Sequence, residues 1–547
     1  MRDEHLFGLA RRMRYAELAR SFRWEIPDRF NFGVDVVDAW AAERNGPAIA
    51  WENAAGDEAR LSFGDVARLS NRLAGALRTA GVKKGDRVLV MLPRIPEWQI
   101  ALVACLKIGA VVIPAIEMLT RRDLAYRVQN SEAKAVICRS AEVAKFDDVS
   151  REIAVRIAIG AAPGWTEWSA ALASGADTLT AADVGIEDPA VMYYTSGSTG
   201  HPKGVLHAAR ALYVWRMAAY FWLDLTPEDR IWCTADTGWS KAGTSIIWGP
   251  WSAGACAFFY DGPFVPAERL RLLAKHKVSV FCASSTELNR LTGEAIGAYD
   301  LRALRRTISA GEAVSPVAAE RWEQATGCKV SEAYGQTEAL MMVLNYPSEP
   351  LRYGSMGWPQ PGLEIDIVDD EGHRQAAGME GHVALKMPSP HMMLGYWKDP
   401  ERTAACFITG PDGQWYLSGD RAQKDADGRF WYAGRADDVI NSAGYRIGPL
   451  EVENVLLEHA SVLECAVVAS PDPERGEIVK AFIVLKTGID GTADLVTALQ
   501  NHVKAQTAPY KYPRAIAFVD ELPKTVTGKI RRRTLKDREF GRGDGSP

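Results

Sequence analysis

The stretch RVLVMLPRIPEWQIALVACLKIGAVVIPAIEMLTRRDLAYRVQNSEAKAVIC, Arg87 to Cys138, decides the fold class. Arg87 to Leu92 reads as a short buried strand, Glu97 to Ile108 as a helix, Ala110 to Pro114 as a strand, Asp123 to Gln129 as a helix and Ala133 to Cys138 as a strand. Such alternation makes βα units, whose right-handed crossovers build parallel sheets covered by helices on both faces. Just upstream, Val66, Leu69, Leu73, Ala76 and Leu77 keep helical spacing behind Ser62 and Asp65, which are placed as a capping box, and Gly81 marks the stop. The α/β texture resumes at 266–284 and 302–335.

Beyond about residue 355, Gly, Pro and Asp punctuate short runs such as Leu363 to Val368, His382 to Leu385 and Arg429 to Ala433, which predicts a more antiparallel, barrel-like part. From Leu450, a helical EVENVLLEH run, strands at Glu464 to Ala469 and Lys480 to Lys486, a helix over about 493–504 and a strand near Ala515 to Val519 predict a small α+β set. The expected fold is therefore α/β. A large N-terminal domain, 1–435, holds two helix-flanked sheets plus a small distorted barrel, and residues 436–547 form a small C-terminal domain.

Composition agrees with this reading. A chain of 547 residues exceeds a single core, since domains mostly run about 100–200 residues. Hydrophobic residues at 47% and charged residues at 24% exclude a disordered, collagenous or coiled-coil chain. A net charge of −5 gives no general attraction to nucleic acid or acidic membranes, so an anionic ligand must be held locally. The eight cysteines never come closer than 23 positions, which leaves no CxxC pair and predicts buried thiols in a reduced cytosol. Asp3 and Glu4 among the N-terminal arginines fit neither a secretory signal nor an acid-poor transit peptide, so the expected location is cytoplasmic. The most apolar stretch, Ile246 to Tyr260, falls short of the roughly 20 residues that span a bilayer and reads as core. The Gly/Asp/Ser-rich tail after Gly541 is expected to fray.

Behind the apolar Ala190 to Tyr193 lies Tyr194-Thr-Ser-Gly-Ser-Thr-Gly-His-Pro-Lys-Gly204, which packs four Ser/Thr hydroxyls, three glycines and a lysine into eleven residues. Glycines let backbone N–H groups turn inward, hydroxyls add donors and Lys203 adds a point charge, the ingredients of a phosphate nest. It is not a Walker loop, because Lys203 is preceded by proline and followed by glycine.

This segment strongly resembles the signature loop of the adenylate-forming superfamily: acyl-CoA synthetases, peptide-synthetase adenylation domains and luciferases. Further motifs follow in that family's order: WCTADTGW at 232–239, SAGEA at 309–313, EAYGQTE at 332–338, YLSGD at 416–420, GRADD at 434–438, NSAGYR at 441–446 and PKTVTGK at 523–529. The DTGW and YGQTE motifs look most like the medium-chain acyl-CoA synthetases.

The resemblance implies a role for each matching position. Thr195, Ser196, Gly197, Ser198, Thr199, Gly200 and Lys203 would cradle the β- and γ-phosphates of ATP, Thr337 would bond a phosphate oxygen and Glu338 would hold Mg²⁺. Tyr334 would stack on adenine against Gly311, Glu312 and Ala313, while Asp420, supported by Arg435, would accept the ribose hydroxyls. Lys529 and Arg446 would serve the adenylation step. The C-terminal domain would be mobile about Asp437 and would line the coenzyme A thiol's tunnel with Gly444. Trp239 would form one wall of the acyl pocket, and Gly335 would leave room for several carbons.

These positions imply a ligase that turns a medium-chain, branched or aromatic acid into its CoA thioester through acyl-AMP, releasing AMP and pyrophosphate. The alternatives are an adenylation enzyme loading a separate carrier protein and a non-catalytic nucleotide-binding regulator. Expected partners are the acid, ATP and CoA, with no nucleic acid and no membrane span; an oligomer and a lysine acetyltransferase acting on Lys529 are further expectations. From Lys504 to Glu539, ten bases against four acids imply an anionic partner such as the phosphates of CoA.

Overall fold

The computed structural model describes residues 4–195, 202–311, 314–435, 438, 440–442, 445–472, 476–507, 511–525 and 530–542. The expected βα run is present: strands Arg87–Met91, Val111–Ala115 and Ala135–Arg139 pair in parallel, with helices Pro96–Lys107 and Arg121–Ser131 between them. Helix Phe63–Thr79 starts on the expected capping box, in which the Ser62 hydroxyl accepts from the Asp65 N–H at 3.1 Å and the Asp65 carboxylate accepts from the Ser62 N–H at 3.1 Å. Thr120 and Asp123 repeat the device at the next helix but one. On the first of these helices the buried side chains Phe63, Val66, Ser70, Leu73 and Leu77 recur at three- and four-residue steps, the spacing that turns one face into the core.

The eight-stranded sheet runs Gly395–Tyr396, Lys203–Ala208, Pro189–Thr195, Val111–Ala115, Arg87–Met91, Ala135–Arg139, Val155–Ile159 and Thr166–Glu167. The fourteen-stranded sheet holds a parallel block, Arg230–Cys233, Cys256–Asp261, Val280–Cys282, Arg306–Ala310 and Val330–Gln336, which turns antiparallel at Leu340–Leu344. Between the two sheets lies the largest core cluster, in which Trp215, Trp222, Trp248 and Trp251 are buried. The apolar stretch after Ile246 contributes Trp248 and Trp251 of helix Trp248–Ser252 and Ala257 and Phe259 of strand Cys256–Asp261 to it, while Cys256, Phe258 and Tyr260 on the strand's other face pack into a second cluster. All eight cysteines are thiols, seven of them buried and Cys406 half-buried.

The expected barrel does not close. Strand Ser355–Pro359 pairs with Phe430–Arg435 on one side and Leu340–Leu344 on the other, so the antiparallel strands continue the large sheet instead of forming a ring. At the far edge Ile365–Val368 takes Glu380–Lys386 as its only strand partner, and its other side meets no closing strand among the described residues. With one edge taken by Phe430–Arg435 and the other by Leu340–Leu344, strand Ser355–Pro359 has no hydrogen-bonding groups left to close a barrel.

From residue 440 onward a five-stranded sheet orders Tyr445–Ile447, Ile440–Ser442, Gly476–Leu485 and Val462–Asp472, with Ala515–Phe518 alongside Gly476–Leu485. Helices Pro449–Glu458 and Ala493–Gln506 contribute Val452, Leu456, Leu499 and Val503 to its own small core. The basic excess after Lys504 is partly neutralised at home: Lys511 pairs with Glu451, Lys524 with Glu464 and Arg532 with Glu453, at 2.6–2.7 Å, and Arg533 with Asp537 at 3.5 Å. Three of these acids lie outside the segment, so a count along the chain overstates the positive field. No helix among the described residues is long and apolar enough to cross a membrane.

Candidate active site

The phosphate-loop motif is closed at its base. Strands Pro189–Thr195 and Lys203–Ala208 run antiparallel with Thr195 opposite Lys203, so the ends of the intervening loop are held one strand spacing apart. Ser196, Gly197, Ser198, Thr199 and Gly200 lie outside the described residues. At the exit the Tyr126 hydroxyl donates to the Pro202 carbonyl at 3.1 Å, and the Lys203 ammonium stands 4.8 Å from the centroid of the Tyr396 ring.

Strand Val330–Gln336 carries the next set of groups. The Tyr334 hydroxyl donates to Asp420 Oδ2 at 2.6 Å, the Gln336 amide donates to the same oxygen at 2.5 Å, and the Tyr432 hydroxyl donates to Asp420 Oδ1 at 3.0 Å. Arg435 Nε stands 3.5 Å from Oδ1, and the Asp420 carboxylate raises the guanidinium's pKa against the opposing effect of burial. The Tyr334 hydroxyl is pushed well above its ordinary pKa, first by burial and then by Asp420, so it stays a donor. A carboxylate offers about four lone-pair positions, and three are engaged here. Ribose hydroxyls would therefore share or exchange a donor at Asp420 rather than meet a bare carboxylate.

Two residues earlier, buried Glu332 accepts from the N–H groups of Val314 at 2.9 Å and Gly354 at 3.0 Å. Burial pushes its carboxyl up to about 7 against the pull of those donors. Gly311, with φ of +92°, turns the chain off strand Arg306–Ala310 toward the loop that Glu332 ties down. Glu312 and Ala313 lie outside the described residues.

Thr337 and Glu338 follow at the reversal into Leu340–Leu344. The Thr337 hydroxyl meets the Ser240 hydroxyl at 2.9 Å, which joins the DTGW segment to this turn next to Trp239. The Thr337 carbonyl lies 2.6 Å from His207 Nε2. Burial lowers the His207 pKa to about 4, so the ring is neutral and donates its Nε2 proton to that carbonyl. Glu338 Oε1 accepts from the Tyr396 hydroxyl at 2.9 Å.

Gly335 departs from its expected role. An ideal Cβ there would lie 2.2 Å from the Leu340 carbonyl oxygen and 2.8 Å from Met341 Cα, at a register shift between the two strands. The position faces the neighbouring strand's backbone rather than open acyl space, and glycine is needed for strands to approach so closely. Asp437, Gly444 and Lys529 lie outside the described residues; Arg446 sits on strand Tyr445–Ile447 opposite Asn441, and Lys524 and Ile530 form the bridge that flanks Lys529.

The structure also brings in side chains that the motif reading passed over: Gln336, Ser240, His207, Tyr396, Glu332 and Tyr432. Gln336, Ser240 and Glu332 stand inside or beside the quoted motifs and could have been taken up from their polar types. Tyr396, Tyr432 and His207 lie outside the quoted motifs, among apolar strand residues that by themselves signal burial.

The donor set suits a magnesium–nucleotide ligand. Glu338 supplies a half-buried carboxylate, the hard oxygen that Mg²⁺ takes in ones or twos; Thr337 precedes it in the chain, Lys203 is linked to it through the Tyr396 ring, and Thr195 lies opposite Lys203, a cation and hydroxyls suited to phosphate oxygens.

Two outcomes follow from this geometry. In an unfolded chain His207 binds a proton near pH 6.5, whereas the folded site excludes it until about pH 4, so stability is lost as pH falls through that window. The loss is at most about 3 kcal/mol, and in denaturant titrations His207→Gln is expected to decline less steeply from pH 6.5 to 4 than the unaltered protein. Equal slopes would mean that the folded ring is already protonated. Gly335→Ala is expected to cost about 1–3 kcal/mol through overpacking, seen as a lower thermal midpoint. An unchanged midpoint would put that Cβ in open space.

Known proteins resemble this chain along nearly its whole length. The AMP-binding enzyme family matches residues 38–397 and its C-terminal domain matches residues 451–529. The human acyl-coenzyme A synthetase ACSM3, mitochondrial, is 38% identical over 96% of this chain and 92% of its own, and the mouse acyl-coenzyme A synthetase ACSM4, mitochondrial, is 40% identical over 94% and 92%. Among solved structures, the anthranilate CoA ligase AuaEII in complex with anthranoyl-AMP has a TM-score of 0.86 at 29% identity, covering 95% of this chain and 98% of that one. A benzoate CoA ligase from Burkholderia xenovorans LB400 has a TM-score of 0.82 at 30% identity, covering 93% and 100%. With the two family matches falling in order along the chain and full-length relatives sharing more than a third of its residues, the protein belongs to the AMP-binding enzyme family.

Proposed function

We propose that the protein is an AMP-forming acyl-CoA synthetase. The observation that carries this reading is the convergence of the Tyr334–Gln336–Asp420 cluster, the Thr337–Glu338 turn and the Lys203 end of the phosphate-loop motif. A carboxylate resists attack by a thiol because its leaving group would be oxide. Attack of its oxygen on the α-phosphate of ATP forms acyl-AMP and releases pyrophosphate; the thiol of coenzyme A then attacks the acyl carbon and AMP departs. Bringing a carboxylate against a triphosphate gathers negative charge, so the protein's task is to supply cations and preorganised donors.

In this reading Thr195, Lys203 and the hydroxyls and glycines between them hold the β- and γ-phosphates, and Glu338 holds a magnesium ion that neutralises phosphate charge. Tyr334, Gly311, Glu312 and Ala313 bound the adenine slot, while Asp420 and Arg435 take the ribose. Lys529 and Arg446 neutralise charge in the first step from a C-terminal domain, 436–547, that turns about Asp437; Gly444 lets the thin thiol arm pass. Trp239 bounds the acyl pocket. Anthranilate, benzoate and straight or branched acids of medium length are the substrate candidates, supported by the structural relatives named for aromatic acids.

Pyrophosphate release, measured across straight-chain acids from acetate to dodecanoate, branched acids, benzoate and anthranilate, is expected to depend on acid and to yield the CoA thioester with free CoA. Acid-dependent pyrophosphate release without thioester formation would favour a carrier-protein acceptor, and none with any acid would overturn the reading. Lys529→Ala is expected to lose acyl-AMP formation by at least about a hundredfold while thioester formation from supplied acyl-AMP stays within a few-fold, because the charge serves only the first transition state. Equal loss in both half-reactions would refute that division.

A further inference from the structure

The segment Met393 to Trp397 lies nearly sixty residues beyond the Thr337–Glu338 turn and nearly two hundred beyond the phosphate-loop motif, yet it touches both. The Met393 N–H donates to the Glu338 carbonyl at 2.9 Å. Leu394 N–H donates to the Leu206 carbonyl at 2.8 Å and Trp397 N–H to the Gly204 carbonyl at 2.7 Å, so Gly395–Tyr396 forms the edge strand beside Lys203–Ala208. The fit to that strand is tight: a Cβ at Gly204 would stand 2.7 Å from Met192 Sδ and 3.2 Å from Trp397 Cβ.

Tyr396 is the side chain that uses this position. It is 8% exposed; its hydroxyl donates to Glu338 Oε1 at 2.9 Å, and its ring face lies 4.8 Å from the Lys203 ammonium. Its backbone N–H is held by the Thr403 hydroxyl at 2.9 Å, and the Cys406 thiol approaches its hydroxyl oxygen at 3.9 Å. A phenol keeps its proton at neutral pH and a carboxylate has none to give, so the hydroxyl is the donor in its bond to Glu338. One ring thus spaces a cation from an anion that would otherwise be drawn together. Two oppositely charged side chains in a partly dehydrated site pair directly unless something neutral stands between them, and a direct pair would spend both on each other.

We propose that Tyr396 is a positioning residue that holds Glu338 and Lys203 apart and aimed for the magnesium–triphosphate, the hydroxyl orienting the carboxylate and the ring face orienting the ammonium. This inference rests on the reading of the site as one for a magnesium–nucleotide.

The test is equilibrium binding of α,β-methylene ATP by calorimetry, at a series of Mg²⁺ concentrations and in EDTA, for the unaltered protein, Tyr396→Phe and Tyr396→Leu. Tyr396→Phe removes the hydroxyl and keeps the ring, so the Mg²⁺ concentration for half-maximal binding should rise about tenfold or more, as for a lost hydrogen bond to a charged group, while binding in EDTA stays the same. Tyr396→Leu should show the same rise and in addition weaken binding in EDTA severalfold, as for a lost cation–π contact. Thioester formation from supplied acyl-AMP and CoA needs no triphosphate, and its retention in both variants shows the fold intact. An unaltered Mg²⁺ dependence in Tyr396→Phe overturns the proposal, as does equal loss of both readouts in both variants. An unaltered protein that binds no nucleotide at any Mg²⁺ concentration overturns the functional reading itself.

Discussion

A Cβ at position 335 would sit 2.2 Å from the Leu340 carbonyl oxygen, so the two strands that meet there can run this close only because the residue is glycine. Much of the site hangs on that approach. It lies where the large sheet changes from parallel to antiparallel, with a register shift between Tyr334 and Gly335 and a left-handed backbone at Leu340 closing the turn. The seven residues from Glu332 to Glu338 carry, in order, an anchor for the loop after Gly311, two donors to Asp420, a threonine tied to Ser240 and His207, and a carboxylate tied to Tyr396. A wider spacing of the two strands would move all of these together.

The electrostatics explain how an acidic protein can prepare a place for a polyanion. Each carboxyl group around the site is attended to before any ligand arrives. Glu332 is buried with a carboxyl pushed up to about 7, Asp420 is surrounded by three donors and Arg435, and Glu338 is held by a tyrosine rather than by the nearby lysine. Among the described residues Lys203 faces an aromatic ring and pairs with no acid, which keeps its charge available at the end of the glycine-rich segment. The overall negative charge has little bearing on this, because fields of exposed charges fade over about a Debye length while those of buried groups a few ångströms away do not.

The βα periodicity of residues 87–138 gave the parallel sheet because alternation between strand and helix is a local pattern with few solutions in three dimensions. Capping at Ser62 and Asp65 was equally legible, since the residues that close that box are three positions apart. Barrel closure was not. The runs after residue 355 do form antiparallel strands, but whether a sheet closes depends on which strand takes the last edge, and Ser355–Pro359 gives that edge to the neighbouring sheet. The count of bases after Lys504 misled in the same manner, because Glu451, Glu453 and Glu464 come from outside the counted window.

By itself the sequence determined the chemistry available: a glycine-, hydroxyl- and lysine-bearing loop, an aromatic and a carboxylate in YGQTE, an aspartate after a glycine and a lysine near the end. These are properties of residue type and short spacing, which the chain carries whatever its fold. Tertiary structure alone decided which groups meet. Tyr334 and Gln336 reach Asp420 across more than eighty residues, Tyr396 reaches Glu338 across 58, and Gly335 proves to face a neighbouring backbone rather than a pocket. Such meetings are set by strand order and register, and those depend on the packing of the whole sheet rather than on any segment's own preferences.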